Sequence, residues 1–281
     1  MRTGMIGLGA MGLGMARNLA KAGFLTAVYN RTATKTVEFQ VTAYATPEEL
    51  AANVDMVCLC VSADQDVLDV IEKIATTIKS GSIVVDMSTV SRATALTAAA
   101  LLAEKNVAFL DAPVSGGVEG AKNGTLAMMV GGDEQALERA KPVLAALATR
   151  IVWMGATGSG QATKAVNQIM CAGINQAVTE ALAFADAQGL AMNKVIDVIA
   201  GGASGNWFLQ HRGNTMTQGT FAPGFKLALH HKDLKICQAM AAEINIPIPL
   251  SDQTVSDYAS LMTQGYGDED ISALYRLKKI S

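Results

Sequence analysis

Through its first 155 residues the chain alternates short, continuous apolar runs with segments whose apolar residues recur at helical spacing. Strand character appears at residues 3–6, 25–29, 55–61, 82–85, 107–110, 126–130 and 151–153. Helical periodicity fills the intervals, for example at residues 11–22, 66–77, 91–105 and 135–148. An unbroken apolar strand is what burial on both faces demands. The pattern therefore predicts an α/β fold of Rossmann type, a doubly wound parallel sheet between two helical layers. Thr46-Pro47-Glu48-Glu49 reads as a helix start, a capping hydroxyl followed by proline at the first helical position. Beyond Gly160 strand runs cease and helical segments follow at residues 161–188, 194–200, 206–216, 226–243 and 250–264. The expectation is two domains: a sheet domain at residues 1–157 and an all-α domain at 158–281, entered through a long interdomain helix.

Composition narrows the partners. Half of the 281 residues are hydrophobic and the net charge is only −3, with no basic block. Nucleic acid and anionic membrane are thereby excluded as main partners. The longest charge-free run, residues 165–179, is too short to span a bilayer and carries Asn167, Gln168, Asn175 and Gln176. Strand character begins almost at Met1, which leaves no room for a leader before it, so a cytoplasmic protein is expected. Cys58, Cys60, Cys171 and Cys237 lack the paired spacing of a disulfide framework or a metal site. They are expected to be small buried hydrophobes, and no metal is expected.

Candidate chemistry starts at Gly7-x-Gly9-x-x-Gly12, which closes the first strand and opens a helix. Gly7 permits the tight turn, Gly9 lets a pyrophosphate approach the backbone, and Gly12 lets helix pack on strand. With Leu8, Ala10 and Met11 between them, they place the diphosphate at the positive end of that helix. An acidic residue after the second strand would favour NAD. Asn30-Arg31-Thr32 stands there instead, a set of donors that suits the 2′-phosphate of NADP, with NAD possible. Val61 and Thr89 lie where further strands end, the side on which such sheets bind ligands; Thr89 also reads as a helix N-cap.

Four ordered motifs resemble the β-hydroxyacid dehydrogenase family, which includes 3-hydroxyisobutyrate dehydrogenases, tartronate semialdehyde reductases and glyoxylate/succinic semialdehyde reductases. They are GLGAMG, DAPVSGGVEGAKNGTLAMMVGG at residues 111–132, GSGQATKAVNQ with HHKDL, and GDEDISAL near the end. The resemblance implies hydride transfer between nicotinamide and a carbon β to a carboxylate, usually without metal. It implies that Ser115, Gly116 and Gly117 hold the substrate carboxylate, that Thr89 lies near the nicotinamide, and that Phe225, Lys232 and Asp233 close over cofactor and substrate. A chain turning through two glycines into a helix start suits an anion on its own chemistry. Asp233, being an anion, is expected to accept a bond from a ligand hydroxyl or to position Lys232. Imine reductases share the architecture but usually carry another residue at the lysine position. A cofactor-binding module without turnover is the reading from outside catalysis.

The lysine itself is Lys164. On a helix from Gln161, residues Lys164, Asn167, Gln168, Cys171 and Asn175 share one narrow face, with apolar residues around the rest. A helix buried nearly all round with one polar stripe is expected. A lysine in such a place is desolvated, which lowers its pKa toward the range useful for giving and taking a proton. Its ammonium also stabilises a developing alkoxide. The family's catalytic lysine falls in the same motif. Many family members carry asparagine four residues on; here Gln168 stands there with Asn167 before it, and either is a candidate for the supporting role. The reading is an NADP-dependent reductase of a small carboxylate aldehyde or 2-oxo acid, working as a homodimer or homotetramer.

Overall fold

The structure is a computed structural model that describes residues 1–279. The chain forms two compact units, the first Met1–Lys164 and the second beginning at Ala165. The first contains β1 (Thr3–Ile6), α1 (Ala10–Lys21), β2 (Leu25–Tyr29), β3 (Thr42–Ala43), α2 (Pro47–Asn53), β4 (Met56–Leu59), α3 (Asp64–Ile74) and β5 (Ile83–Asp86). It continues with α4 (Arg92–Ala103), β6 (Ala108–Asp111), β7 (Val114–Ser115), α5 (Gly117–Asn123), β8 (Leu126–Gly132), α6 (Glu134–Leu144) and β9 (Ala148–Gly155).

These strands form one sheet ordered β3-β2-β1-β4-β5-β6-β8-β7, with β9 paired to β8. β1 sits between β2 and β4, so the chain leaves it on one side and later returns on the other. At such a switch point a crevice opens beyond the strand ends. Side-chain alternation builds two separate cores. Met56, Cys58, Ile83, Val85 and Leu110 pack into one with α1 and α6. Val57, Leu59, Val84 and Phe109 pack into the other with α2, α3 and α4. Every residue of β4 and β5 is buried, which is why residues 56–59 and 83–85 read as unbroken apolar runs.

The sheet expected to be parallel is parallel from β3 through β6 and mixed beyond. β8 runs antiparallel to both β6 and β7. A parallel return needs a crossover of about a dozen residues or more. The link from β7 to β8 holds little besides the short α5, which a left-handed Gly124 ends. The helix start read at Thr46 forms as expected: its hydroxyl accepts from Glu49 N at 3.2 Å, and Pro47 is the first helical residue.

α7 (Ser159–Ala187) begins in the first unit and continues into the second. There it is joined by α8 (Met192–Ala200), α9 (Trp207–Thr217), α10 (Leu227–Glu243), α11 (Pro249–Thr263) and α12 (Tyr275–Lys278). Their shared core includes Leu182, Phe208, Leu209, Leu227, Tyr258 and Tyr275. The expectation of burial nearly all round is corrected for α7. Gln168 and Asn175 are buried, whereas Val166 and Met170 are 58% and 61% exposed and Phe184 is also exposed. The polar stripe is the inward one, because it meets hydrogen-bonding partners there that the apolar flank would leave unsatisfied. Among the described residues no helix is long and apolar enough to cross a membrane.

Candidate active site

Gly7 leaves β1 with φ of +91°, and a Cβ on it would stand 2.2 Å from the Cys60 carbonyl oxygen. A Cβ on Gly12 would stand 2.0 Å from the Gly7 carbonyl oxygen. Both glycines are thus required by the approach of backbone to backbone. Gly9 differs. It caps α1, and a Cβ there would meet nothing within 4 Å. Its missing side chain leaves space against the first turn of α1, at Ala10 and Met11, where unpaired N–H groups point outward. That is the space a diphosphate needs, so these residues fit a dinucleotide.

The loop is braced from β2. Leu8 N donates to Asn30 Oδ1 at 2.7 Å, and Asn30 Nδ2 donates to the Thr32 carbonyl at 3.0 Å. Asn30, expected among the phosphate donors, is in this structure a tie between the glycine loop and the turn after β2. Arg31 has a side chain 88% exposed, 3.4 Å from Asp66 Oδ1. An ion pair so exposed is weak and easily exchanged for a stronger anion.

The turns after β4 and β5 are locked together. Val61 N donates to Ser88 Oγ at 2.9 Å. Asp64 Oδ1 accepts from Ser91 N at 2.8 Å and from the Thr94 hydroxyl at 2.6 Å. The reading of Thr89 as an N-cap is corrected: α4 starts at Arg92, and Ser91 caps it by accepting from Thr94 N. Thr89 lies in the turn before, half-buried at the strand end.

Two fully buried acids, Asp86 and Asp111, end β5 and β6 in register. Burial pushes Asp86 up to about 7 against opposing bonds from Ser88, and the neighbouring Asp111 adds to the rise. Among the described residues its Oδ2 has no hydrogen-bond partner, which a neutral carboxyl tolerates far better than a charged one. Burial raises Asp111 as well, but N–H groups of Gly158 and Gln161 oppose the rise. Two backbone N–H donors favour the charged form of Asp111, and the unpartnered Oδ2 favours the neutral form of Asp86. A proton kept by the folded chain and released by the unfolded one makes stability fall as pH rises from the ordinary carboxylate range to about 7, then level off. Asp86→Asn is expected to flatten that slope in denaturant titrations at about pH 5 and about pH 8; an unchanged slope would contradict the assignment.

Lys164 is 7% exposed, and its Nζ donates to the Val114 carbonyl oxygen at 3.0 Å. Val114 and Ser115 form β7, and Gly116 and Gly117 follow with φ of +128° and +62°. The ammonium therefore stands beside the residue that precedes Ser115-Gly116-Gly117. Glycine is needed at both positions because L side chains rarely adopt that conformation.

In the second unit, Gln168 Nε2 donates to Asp233 Oδ2 at 2.7 Å, and Lys232 Nζ pairs with Asp233 Oδ1 at 3.1 Å. Asp233 therefore holds both neighbours. Asn167 Nδ2 donates to Gln168 Oε1 at 2.7 Å. His230 is buried, 3.2 Å from the Gln168 carbonyl oxygen through Nε2 and 3.1 Å from the Tyr258 hydroxyl through Nδ1. A carbonyl only accepts, so Nε2 carries the hydrogen. Asn175 Nδ2 donates to the Tyr258 hydroxyl at 2.8 Å. Phe225 lies 5.2 Å from the His230 ring, its N–H on Asp270 Oδ2 at 3.1 Å. Sequence reasoning missed Asp86, Asp111, Ser88 and Gln161. The available signal was an acid closing each of two apolar strands, IVVD and AFLD.

A family model for the NAD binding domain of 6-phosphogluconate dehydrogenase matches residues 2–155. A second, for the NAD-binding region of NADP-dependent 3-hydroxyisobutyrate dehydrogenase, matches residues 158–278. The chain is 39% identical to an uncharacterized oxidoreductase of Shewanella frigidimarina, across 99% of this chain and 98% of that one. It is 36% identical to the 2-hydroxy-3-oxopropionate reductase of Escherichia coli, across 98% and 96%. The solved structure of Mycobacterium tuberculosis 3-hydroxyisobutyrate dehydrogenase with L-serine matches with a TM-score of 0.92 at 31% identity, covering 100% of both chains.

Proposed function

The chain belongs to the β-hydroxyacid dehydrogenase family, and on that premise we propose an NADP-dependent reductase of small carboxylate aldehydes or 2-oxo acids, with Lys164 as general acid/base. The observation that carries the reading is the buried Lys164 ammonium on the Val114 carbonyl, directly before Ser115-Gly116-Gly117. A positive donor and a backbone loop open to an anion meet at one place. A substrate with a carboxylate and a nearby carbonyl is the chemistry that uses both.

Bound nicotinamide supplies the hydride in reduction and takes it in oxidation. Gly7, Gly9 and Gly12, with Leu8, Ala10 and Met11, receive the diphosphate; Val61 and Thr89 line the strand ends nearer the chemistry. Ser115, Gly116 and Gly117 hold the carboxylate. Lys164 Nζ gives its proton to the substrate oxygen in reduction, withdraws it in oxidation, and stabilises the alkoxide between. Gln168 follows one helical turn on; its bond to Asp233 supports it, rather than Asn167, as the fixed neighbour of the lysine. The outward apolar flank of α7, with Val166, Met170 and Phe184, supports association with a second copy.

Initial rates with 2-hydroxy-3-oxopropionate, glyoxylate, succinic semialdehyde and methylmalonate semialdehyde test the reaction. Arg31 tests the cofactor. With Thr32 it is the proposed partner of the 2′-phosphate, and a charge-assisted bond of about 1.5–3 kcal/mol corresponds to roughly 10- to 100-fold in affinity. Arg31→Ala is expected to raise the KM for NADPH by about that factor and leave the KM for NADH nearly unchanged. Equal changes for the two nucleotides would sink the assignment.

A further inference from the structure

We propose that Asp111 is a positioning residue for Lys164, capping the long helix from a distant strand and so setting where the ammonium stands. The proposal rests on Lys164 being the acid/base. The residue before α7 is Gly158, which has no side chain with which to cap it. The first N–H groups of a helix lack intrahelical partners, and a carboxylate is the strongest acceptor for them. Asp111 supplies both its oxygens: Gly158 N donates to Oδ1 at 2.7 Å and Gln161 N to Oδ2 at 2.9 Å.

The fit leaves no slack. A Cβ on Gly160 would stand 2.4 Å from the Asp111 carbonyl oxygen and 2.5 Å from that of Met129. A Cβ on Gly131 would stand 2.5 Å from Asp111 Oδ1. Glycine at both positions lets the helix end rest directly on the strand ends. Gln161 then takes the turn after β5, with Nε2 donating to the Ser88 carbonyl at 2.8 Å and Oε1 accepting from Val90 N at 3.2 Å. Those two bonds grip the backbone on either side of Thr89.

A closed circuit results. Asp111 holds the start of α7, α7 carries Lys164 one turn later, and Lys164 Nζ returns to Val114, three residues after Asp111. The lysine is thus referenced at both ends to one short segment, the one that leads into Ser115. The carboxylate matters as a carboxylate: in Asp111→Asn one oxygen becomes an NH2 group facing an N–H, two donors where a donor and an acceptor stood.

Asp111→Asn is tested for kcat, KM, the pH profile of kcat, and a crystal structure. The expected result is kcat down by about tenfold or more with substrate KM and NADPH affinity within about threefold, a displaced pH profile, and a longer Lys164–Val114 contact. Should that variant not fold, Gln161→Met keeps the volume, removes the grip on the Thr89 turn, and is expected to show the same split of kcat from KM. Wild-type turnover with an unmoved pH profile and an unmoved Lys164 overturns the proposal, as does a uniform loss of kcat, KM and thermal stability. A displaced Lys164 with undiminished turnover overturns instead the catalytic reading of the lysine, so the two failures are separable.

Discussion

Lys164→Met is expected to lower kcat by about 10²- to 10⁴-fold, the range attributable to a positioned general acid, while the protein stays folded. The side chain is buried and its ammonium donates to the Val114 carbonyl oxygen. Replacing a buried charge by an apolar side chain of similar size is often neutral or stabilising, so melting temperature should hold or rise. Activity and stability then move independently, the signature of a group kept for chemistry. Lys164→Arg should not restore turnover, since a guanidinium does not give up its proton and its planar fork does not fit a place built for one ammonium. Initial rates and thermal melts of the two variants check both halves. A Lys164→Met enzyme with near-wild-type kcat would remove the lysine from the mechanism.

Asp270→Ala is expected to be the most damaging single change to stability in the second unit, costing about 3–5 kcal/mol. Asp270 is 1% exposed and lies 3.3 Å from the Arg212 guanidinium, itself only 25% exposed. It also accepts from Gly224 N at 2.9 Å, Phe225 N at 3.1 Å and Ser272 N at 3.1 Å. Truncation leaves a half-buried cation unpaired and three backbone donors without their acceptor, each a separate penalty. The segment before α10 packs onto the same guanidinium, since a Cβ on Gly224 would stand 2.0 Å from Arg212 Nη2. Denaturant midpoints measure the loss, and hydrogen exchange should show it first around Phe225. A change below about 1 kcal/mol would mean the hub is not cooperative.

What could be read from the chain beforehand follows from burial. Thr3–Ile6 and Leu25–Tyr29 match the strands residue for residue, because mostly buried strands leave a largely apolar trace. β3 and β7 span two residues each, too short for any periodicity to register. The antiparallel β8 was hidden because direction depends on connection length, not on the strand's own residues. On α7 the hydropathy pattern implies burial nearly all round with one polar stripe; the exposed Val166 and Met170 show that an apolar surface alone does not say what covers it.

The site was legible to the same uneven degree. The three glycines announce themselves by spacing, since the backbone conformation they need is local. Asp111 does not, because the N–H groups it serves lie 47 and 50 residues away in sequence. Asn30 reads as a phosphate donor from its position after β2, and its bond to Leu8 N leaves no trace in the sequence. Residues that act on a ligand leave short motifs, whereas residues that hold those motifs in place are dispersed through the chain.

Reduction of a carboxylate aldehyde at the expense of NADPH is the reaction proposed for this chain. The most direct measurement is NADPH oxidation with the four aldehyde and oxo acids named above, each paired with an aldehyde of similar length that lacks the carboxylate. Turnover of at least one acid is expected, about tenfold or more above its uncharged counterpart and lost in Lys164→Met. No oxidation of either nucleotide with any of these compounds, or equal rates with and without the carboxylate, would contradict it.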